Sequence, residues 1–282
     1  MRNRSLYILT EDLIFFYMLK NALDKYKIEF QILNLDAKIP TLSSLILTTS
    51  EDFDKLEVRS RDNYLVYVKN CNFDKYLIRV IAAYRIGYKD IYSTLTFSID
   101  PGNKFGLMIF LDDFYLNSYC CFEKPELLRT IKSYIQAFQE DNPNLIQINF
   151  KIGRGILPIA FNLVNDIYKI FNGRKNLMVY LIDEFRSSKI KLSGERKIRK
   201  ISKDEISALI LAFRNGISVN LDNYEYIFEQ IKNKTLKKDN LESLKPDNHE
   251  EYLLELKEVV KKVLNGELSL SSAVVSLTNN KT

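Results

Sequence analysis

Apolar runs and helically spaced apolar positions alternate over residues 1–93. Ser5-Leu-Tyr-Ile-Leu9 reads as a buried strand. Thr10 follows as a helix N-cap, with Glu11 and Asp12 on the favourable side of the helix dipole. Helical spacing then runs through Leu13, Phe16, Tyr17, Leu19 and Leu23. Further apolar runs at 30–35, 42–47 and 64–68, and a helix near 73–85, complete a strand–helix alternation. Continuous apolar strands between helices predict a small α/β layer with a largely parallel sheet.

From residue 94 the pattern changes. Three runs, 92–99, 107–111 and 115–122, read as a meander. A helix over 125–139 opens on Pro125. Then come a strand at 144–151, a tight Gly153-Arg-Gly155 turn, a helix over 156–171 and a buried strand at 176–182. A helix over 203–213 stops at Asn215-Gly216. The order is β-β-β-α-β-α-β-α. Residues 218–282 carry helical apolar spacing with many Glu and Lys and read as a helical C-terminal extension. The predicted division is 1–93 as an α/β domain for docking, dimerisation or regulation, 94–217 as a second α/β domain, and 218–282 as the tail.

Composition narrows the chemistry. With 282 residues, 46% hydrophobic and 27% charged, the chain can bury a sizeable core and is not disordered. Its one His, His249, excludes His-rich zinc sites, HExxH metalloproteases and a Ser-His-Asp triad. Three Cys, two of them adjacent (Cys120 and Cys121), form no disulfide framework. Gly153-x-Gly155 lacks the rest of a dinucleotide fingerprint, and there is no P-loop motif. Catalysis, if any, falls to carboxylates, hydroxyls, Lys or a metal. Apolar stretches are too short for a membrane span. Met-Arg-Asn-Arg at the start has the look of a signal-peptide n-region, but Glu11 and Asp12 interrupt the apolar stretch after it, so a cytoplasmic chain is expected.

Three acidic positions stand at element ends. Ser98-Ile-Asp100-Pro-Gly102 ends a strand before a turn, and Leu181-Ile-Asp183-Glu184 ends a buried strand. Ser202-Lys-Asp204-Glu205 opens an apolar helix. Acids so placed can converge at one sheet edge, where their repulsion makes a hard-oxygen site for Mg²⁺ or Mn²⁺. Asp100, Asp183, Glu184, Asp204 and Glu205 are the candidate ligands, and of Asp183 and Glu184, which alternate at a strand end, only one should face the site. Each also has a structural explanation: Asp-Pro-Gly is a common turn, and acids at a helix start favour the dipole. Asp112-Asp113 reads as a solvated hairpin turn. Between Glu184 and Asp204 lies the most basic stretch of the chain. Residues 186–203 hold eight basic residues against one acid, Glu195, where the whole chain carries a net charge of +5. Arg186, Lys189, Lys191, Arg196, Lys197, Arg199 and Lys200, joined by Lys104 and Arg154, are the expected phosphate contacts.

The N-terminal part resembles a response-regulator receiver in its β-α start and its acidic pair, although Leu45-Ile-Leu-Thr-Thr49 ends in threonines where a receiver carries its phosphoacceptor Asp. Residues 94–216 resemble the RNase H-like fold, nearest to RuvC-type Holliday-junction resolvases and YqgF-type relatives. Asp100-Pro-Gly102 is similar to the first motif, Asp183-Glu184-Phe-Arg-Ser-Ser188 to the YqgF-type Asp-Glu-Arg-x-Ser/Thr-Thr, and Asp204-x-x-Ser207-Ala208-Leu-Ile-Leu211 to the last-helix motif. The acid that RuvC-type enzymes carry on the fourth strand is missing, since that strand reads Gln147-Ile-Asn-Phe-Lys151. The resemblance favours Glu184 over Asp183 and implies a metal-dependent nuclease with Asp100, Glu184 and Asp204 as its catalytic metal ligands, acting on structured DNA or RNA, in repair or recombination; it is compatible with a homodimer. The alternative is a catalytically weak or inactive nucleic-acid-binding scaffold or regulator.

Overall fold

The apolar run Ser5–Leu9 forms β1 and the periodic stretch after it forms helix α1 (Leu13–Lys25). They open a computed structural model that describes residues 5–34, 44–56, 63–139, 146–184, 201–237 and 249–279. The chain divides into two compact units, Met1–Ile91 with Ser133–Phe138, and Tyr92–Lys132 with Gln139–Thr282. It is a mixed α/β protein, with one all-parallel sheet and one mixed sheet. Among the described residues no helix is long and apolar enough to cross a membrane.

In the first unit β2 (Gln31–Leu33), β3 (Ser44–Thr49) and β4 (Tyr64–Tyr67) join β1 in the order β2-β1-β3-β4, every pair parallel. The helices α2 (Ser50–Phe53) and α3 (Phe73–Arg85) follow β3 and β4. The N-cap of α1 is Asp12, not the expected Thr10: its carboxylate accepts from Ile14 N at 2.8 Å and Phe15 N at 3.0 Å. Thr10 is drawn away because its hydroxyl donates to Asp52 at 2.5 Å. Asp52, 2% exposed in α2, also accepts from Glu11 N (3.0 Å), Thr49 Oγ1 (2.9 Å) and Lys55 Nζ (3.1 Å). Burial pushes this carboxyl up, but those donors outweigh it and hold its pKa below the ordinary value.

The second unit is built on β5 (Thr94–Pro101), β6 (Phe105–Leu111), β7 (Phe114–Cys121), the start of α4 (Lys124–Gln139, of which Ser133–Phe138 count with the first unit), β8 (Gln147–Gly153), α5 (Leu157–Ile170), β9 (Leu177–Ile182) and α6 (Lys203–Ala212). A short β10 (Gly216–Val219) and helices α7 (Tyr224–Lys237), α8 (His249–Leu264) and α9 (Leu270–Asn279) complete it. The sheet order is β10-β9-β8-β5-β6-β7, with β5, β8 and β9 parallel and β6, β7 and β10 antiparallel to their neighbours. One face stacks Phe97 on Phe150, centroids 5.2 Å apart, and Phe150 on Phe171 at 6.1 Å. The other face contributes Met108 and Phe110 to a core with Leu209, Val260, Ala273 and their neighbours on α6, α8 and α9.

Helices α7, α8 and α9 are therefore packed into the second unit rather than appended to it. They bury Val260, Val263 and Ala273 completely, and Tyr224 and Phe228 of α7 pack their rings on Phe161 of α5 at 5.6 and 5.3 Å. The sequence missed β10 because it is four residues long, with three of them exposed, and only its pairing with β9 defines it. Asp112 and Asp113 do make the hairpin turn, with φ of 45° and 74°. They are also ties: Asp112 accepts from Ser93 N and Thr94 N (2.6 and 3.0 Å), and Asp113 accepts from Ser271 N at 3.0 Å.

Helix α6 is fastened to the polar stripe of the sheet at three points. At its start, Gly106 lets the Asp204 backbone lie directly on β6; a Cβ there would fall well inside contact distance of the Asp204 carbonyl. At its middle, Ser98 Oγ donates to the Ala208 carbonyl at 2.7 Å. At its end, Lys151 Nζ donates to the Ala212 carbonyl and, at 3.1 Å, to that of Arg214. Burial pulls the Lys151 ammonium down to about 8. Gly106→Ala should push α6 off the sheet and cost about 1–3 kcal/mol, the usual range for overpacking. An unchanged melting temperature by circular dichroism would show that the close approach is not a constraint.

Candidate functional site

The strands β5, β8 and β9 run parallel, so their C-terminal ends share one edge, where open α/β sheets commonly place their sites. Asp100 lies at the end of β5, the Gly153-Arg154-Gly155 turn follows β8, Glu184 stands two residues past β9, and Asp204 is in the first turn of α6.

Asp100 lies in the field of the two other expected acids. The Asp100 carboxyl is pushed up to about 7, first by burial and then by the charges of Glu184 and Asp204. A hydrogen bond from Ser207, one turn past Asp204, and the charge of Lys203 pull it partly back. Glu184 is also raised, by burial first and by Asp183, while the Gly155 N–H and Arg214 moderate it. The Gly155 N–H donates to Glu184 Oε1 at 2.8 Å. A Cβ on either Gly153 or Gly155 would run into the Glu184 carboxylate, so the turn is a cradle that only glycine leaves open. Cys120 of β7 places its Sγ 3.6 Å from Asp204 Oδ2, and burial pushes this thiol up.

The structure gives the two further candidate ligands other work. Asp183 is exposed and pairs with Arg154 at 2.9 Å, while its carbonyl accepts from Arg214 at 2.6 Å. Glu205 is 1% exposed and closes a capping box, accepting from Ser202 N at 2.8 Å while its own N–H donates to Ser202 Oγ at 3.2 Å. Of the expected phosphate contacts, Arg154 is engaged with Asp183, and Lys104 is exposed with its ammonium 4.5 Å from the Phe122 ring centroid. Arg186, Lys189, Lys191, Arg196, Lys197, Arg199 and Lys200 lie outside the described residues. Sequence reasoning did not find Gly106, Cys120 or Arg214 as parts of this edge, and Lys203 stood there only as the last member of the basic stretch. Ser207 showed itself only as the residue three past Asp204.

The donors suit a hard divalent cation in kind: three carboxylates, one of them held partly protonated near neutrality by burial and its neighbours' charge. Electrostatic coupling reaches farther than ligation. Among the described residues no three His, Cys, Asp or Glu side chains are gathered tightly enough to hold an ion as they stand. To hold one ion together, Asp100, Glu184 and Asp204 would have to move closer than they stand.

A second cleft, of about 460 Å³, opens in the first unit at the ends of β1, β3 and β4. Glu11, Asp52, Lys55, Tyr67 and Lys69 are among its lining residues, and its charges already pair, Lys55 with Glu11 at 2.6 Å and Lys69 with Glu51 at 3.6 Å.

No protein-family model matches the chain, and no curated protein matches it.

The raised Asp100 carboxyl has a measurable consequence. Below its unfolded value of 3.8 it is neutral in both states. As pH climbs towards 7 the unfolded chain ionises first and the native state loses stability. The rise to about 7 corresponds to about 4 kcal/mol at full strength. Solvent reaching this partly exposed group screens that to about 1–2 kcal/mol. Asp100→Asn should therefore stabilise the protein by that amount at pH 8 in EDTA, with the gain shrinking towards pH 4. Equal loss of stability at both ends would mean that the carboxyl is not under repulsion.

Proposed function

We propose that this protein is a divalent-metal-dependent nuclease that hydrolyses phosphodiester bonds in structured DNA or RNA, with an RNase H-like second unit. The observation that carries this reading is that Asp100 lies in the field of both Glu184 and Asp204, acids brought from separate parts of the chain. The strand order β7-β6-β5-β8-β9, a meander followed by two parallel strands, supports it, as does α6 carrying the last acid across the sheet. Both features agree with the resemblance to RuvC-type and YqgF-type proteins.

In this reading Asp100, Glu184 and Asp204 hold the cation. A bound Mg²⁺ or Mn²⁺ would supply charge stabilisation at the phosphoryl oxygens and a more acidic water. The chain's own residues do the rest. Ser207 fixes the Asp100 carboxylate by donating to it. The Gly155 N–H orients Glu184. Lys203, close enough to act on Asp100, and the exposed Lys104 offer cations to the phosphate backbone. The basic stretch between Glu184 and Asp204 would add affinity without sequence preference. A binding scaffold without turnover is the second reading, favoured by β8, which carries Lys151 as a fastener of α6 rather than an acid.

The test is cleavage of a four-way junction, a duplex, and single-stranded DNA and RNA in Mn²⁺ and Mg²⁺. Asp100→Asn and Asp204→Asn should each lower cleavage by more than about 100-fold, beyond the usual cost of losing an outer-shell partner. Gly155→Ala, which displaces only the end of Glu184, should lower it about 10–100-fold with the melting temperature kept. Salt-sensitive binding with no cutting would select the scaffold; neither binding nor cutting would remove both readings.

A further inference from the structure

Phe122 follows β7 directly and is 65% exposed, and single exposed hydrophobic side chains need no explanation in general. Its position gives this one a meaning. Asp100, Gly106 and Cys120 are successive partners across β5, β6 and β7. The thiol of Cys120 reaches the Asp204 carboxylate, so this row's side chains face the acids. Residues two apart on a strand share a face at a separation of about 7 Å. Phe122 is two residues past Cys120, and Lys104 is two before Gly106. Lys104 directly precedes β6 and Phe122 directly follows β7, so both flank the sheet end that carries Asp100, and the Lys104 ammonium lies 4.5 Å from the ring centroid. The pair is also held. The Phe122 N–H donates to Glu126 Oε2 at 2.8 Å, which ties the platform's backbone to the first turn of α4.

We propose that Phe122 and Lys104 form a base-stacking step beside the acids, which receives an unpaired nucleotide next to the scissile bond. The inference rests on the nuclease reading and narrows its substrate class to nucleic acid with a single-stranded or locally opened segment at the cut. The chemistry is direct. An exposed phenyl ring offers a face to any base, whatever its identity. A cation lying against that ring both strengthens the aromatic contact and offers a charge to the phosphate of the stacked nucleotide. Bases within an intact duplex have their faces covered by their neighbours, so the step discriminates by base opening rather than by sequence.

Binding of a labelled single-stranded oligonucleotide, and of the same sequence as a blunt duplex, would be measured by fluorescence anisotropy with the full chain in EDTA. Phe122→Ala should weaken single-strand binding about tenfold while leaving duplex binding as it was, and Phe122→Tyr should restore it. Lys104→Ala should weaken both and flatten the salt dependence. If Phe122→Ala changes neither affinity, or both equally, the stacking step is overturned. A parallel cleavage assay in Mn²⁺ separates this from the nuclease reading. A wild-type protein that cuts nothing but shows the selective loss in Phe122→Ala keeps the step and loses the nuclease. One that cuts, with strand preference untouched by Phe122→Ala, keeps the nuclease and loses the step.

Discussion

Everything at the strand-end edge depends on how closely α6 can lie on the sheet. A helix normally keeps its neighbours away by the width of its side chains. Here a glycine on β6 removes that spacing at the first turn, a serine on β5 takes a carbonyl at the middle, and a lysine on β8 takes the last carbonyls. Three neighbouring strands thus fix one helix in height, rotation and slide. That is what places Asp204 in the field of Asp100, Ser207 against it, and Asp204 against Cys120. Apolar contacts with α8 and α9 cover the outer side of α6 and supply the burial, while the polar stripe supplies the geometry.

Asp52 and Asp100 show opposite solutions to one problem. Asp52 is buried among hydroxyls, a backbone N–H and an ammonium, and these hold it ionised. It ties the β1–α1 connection to the β3–α2 connection, and its energy is already satisfied by the fold. Asp100 accepts from Ser207 and feels the charge of Lys203, but burial and the carboxylates of Glu184 and Asp204 outweigh them and push it up to about 7. A satisfied acid is architecture. An acid left under repulsion by neighbours from other parts of the chain marks a candidate functional site.

The order of elements was legible because apolar runs, Pro125 at a helix start and the Asn215-Gly216 stop are local signals. So were Asp100, Glu184 and Asp204, since each falls where a run of apolar residues ends or begins. What stayed hidden was set by register. Nothing near Cys120 in sequence says that it faces Asp204, and nothing near Gly106 says that a helix backbone rests on it. Thr10 looked like the cap of α1 because a cap is judged by its neighbours, whereas a partner 42 residues away claimed its hydroxyl. Asp183 and Glu205 had the right residue type and place; a nearby arginine and a capping serine decided their roles instead.

The outer cover of α6 comes from far along the chain. α6 ends at Ala212, while the helices that bury its outer side, α8 and α9, begin only at His249 and Leu270, and Asp113 of the β6–β7 turn closes on the start of α9. During synthesis all the acids have therefore been made while α6 still presents an open apolar side. The edge of the sheet cannot settle into its final form until the last helices arrive, so a growing chain carries the ingredients of the site well before it carries the site.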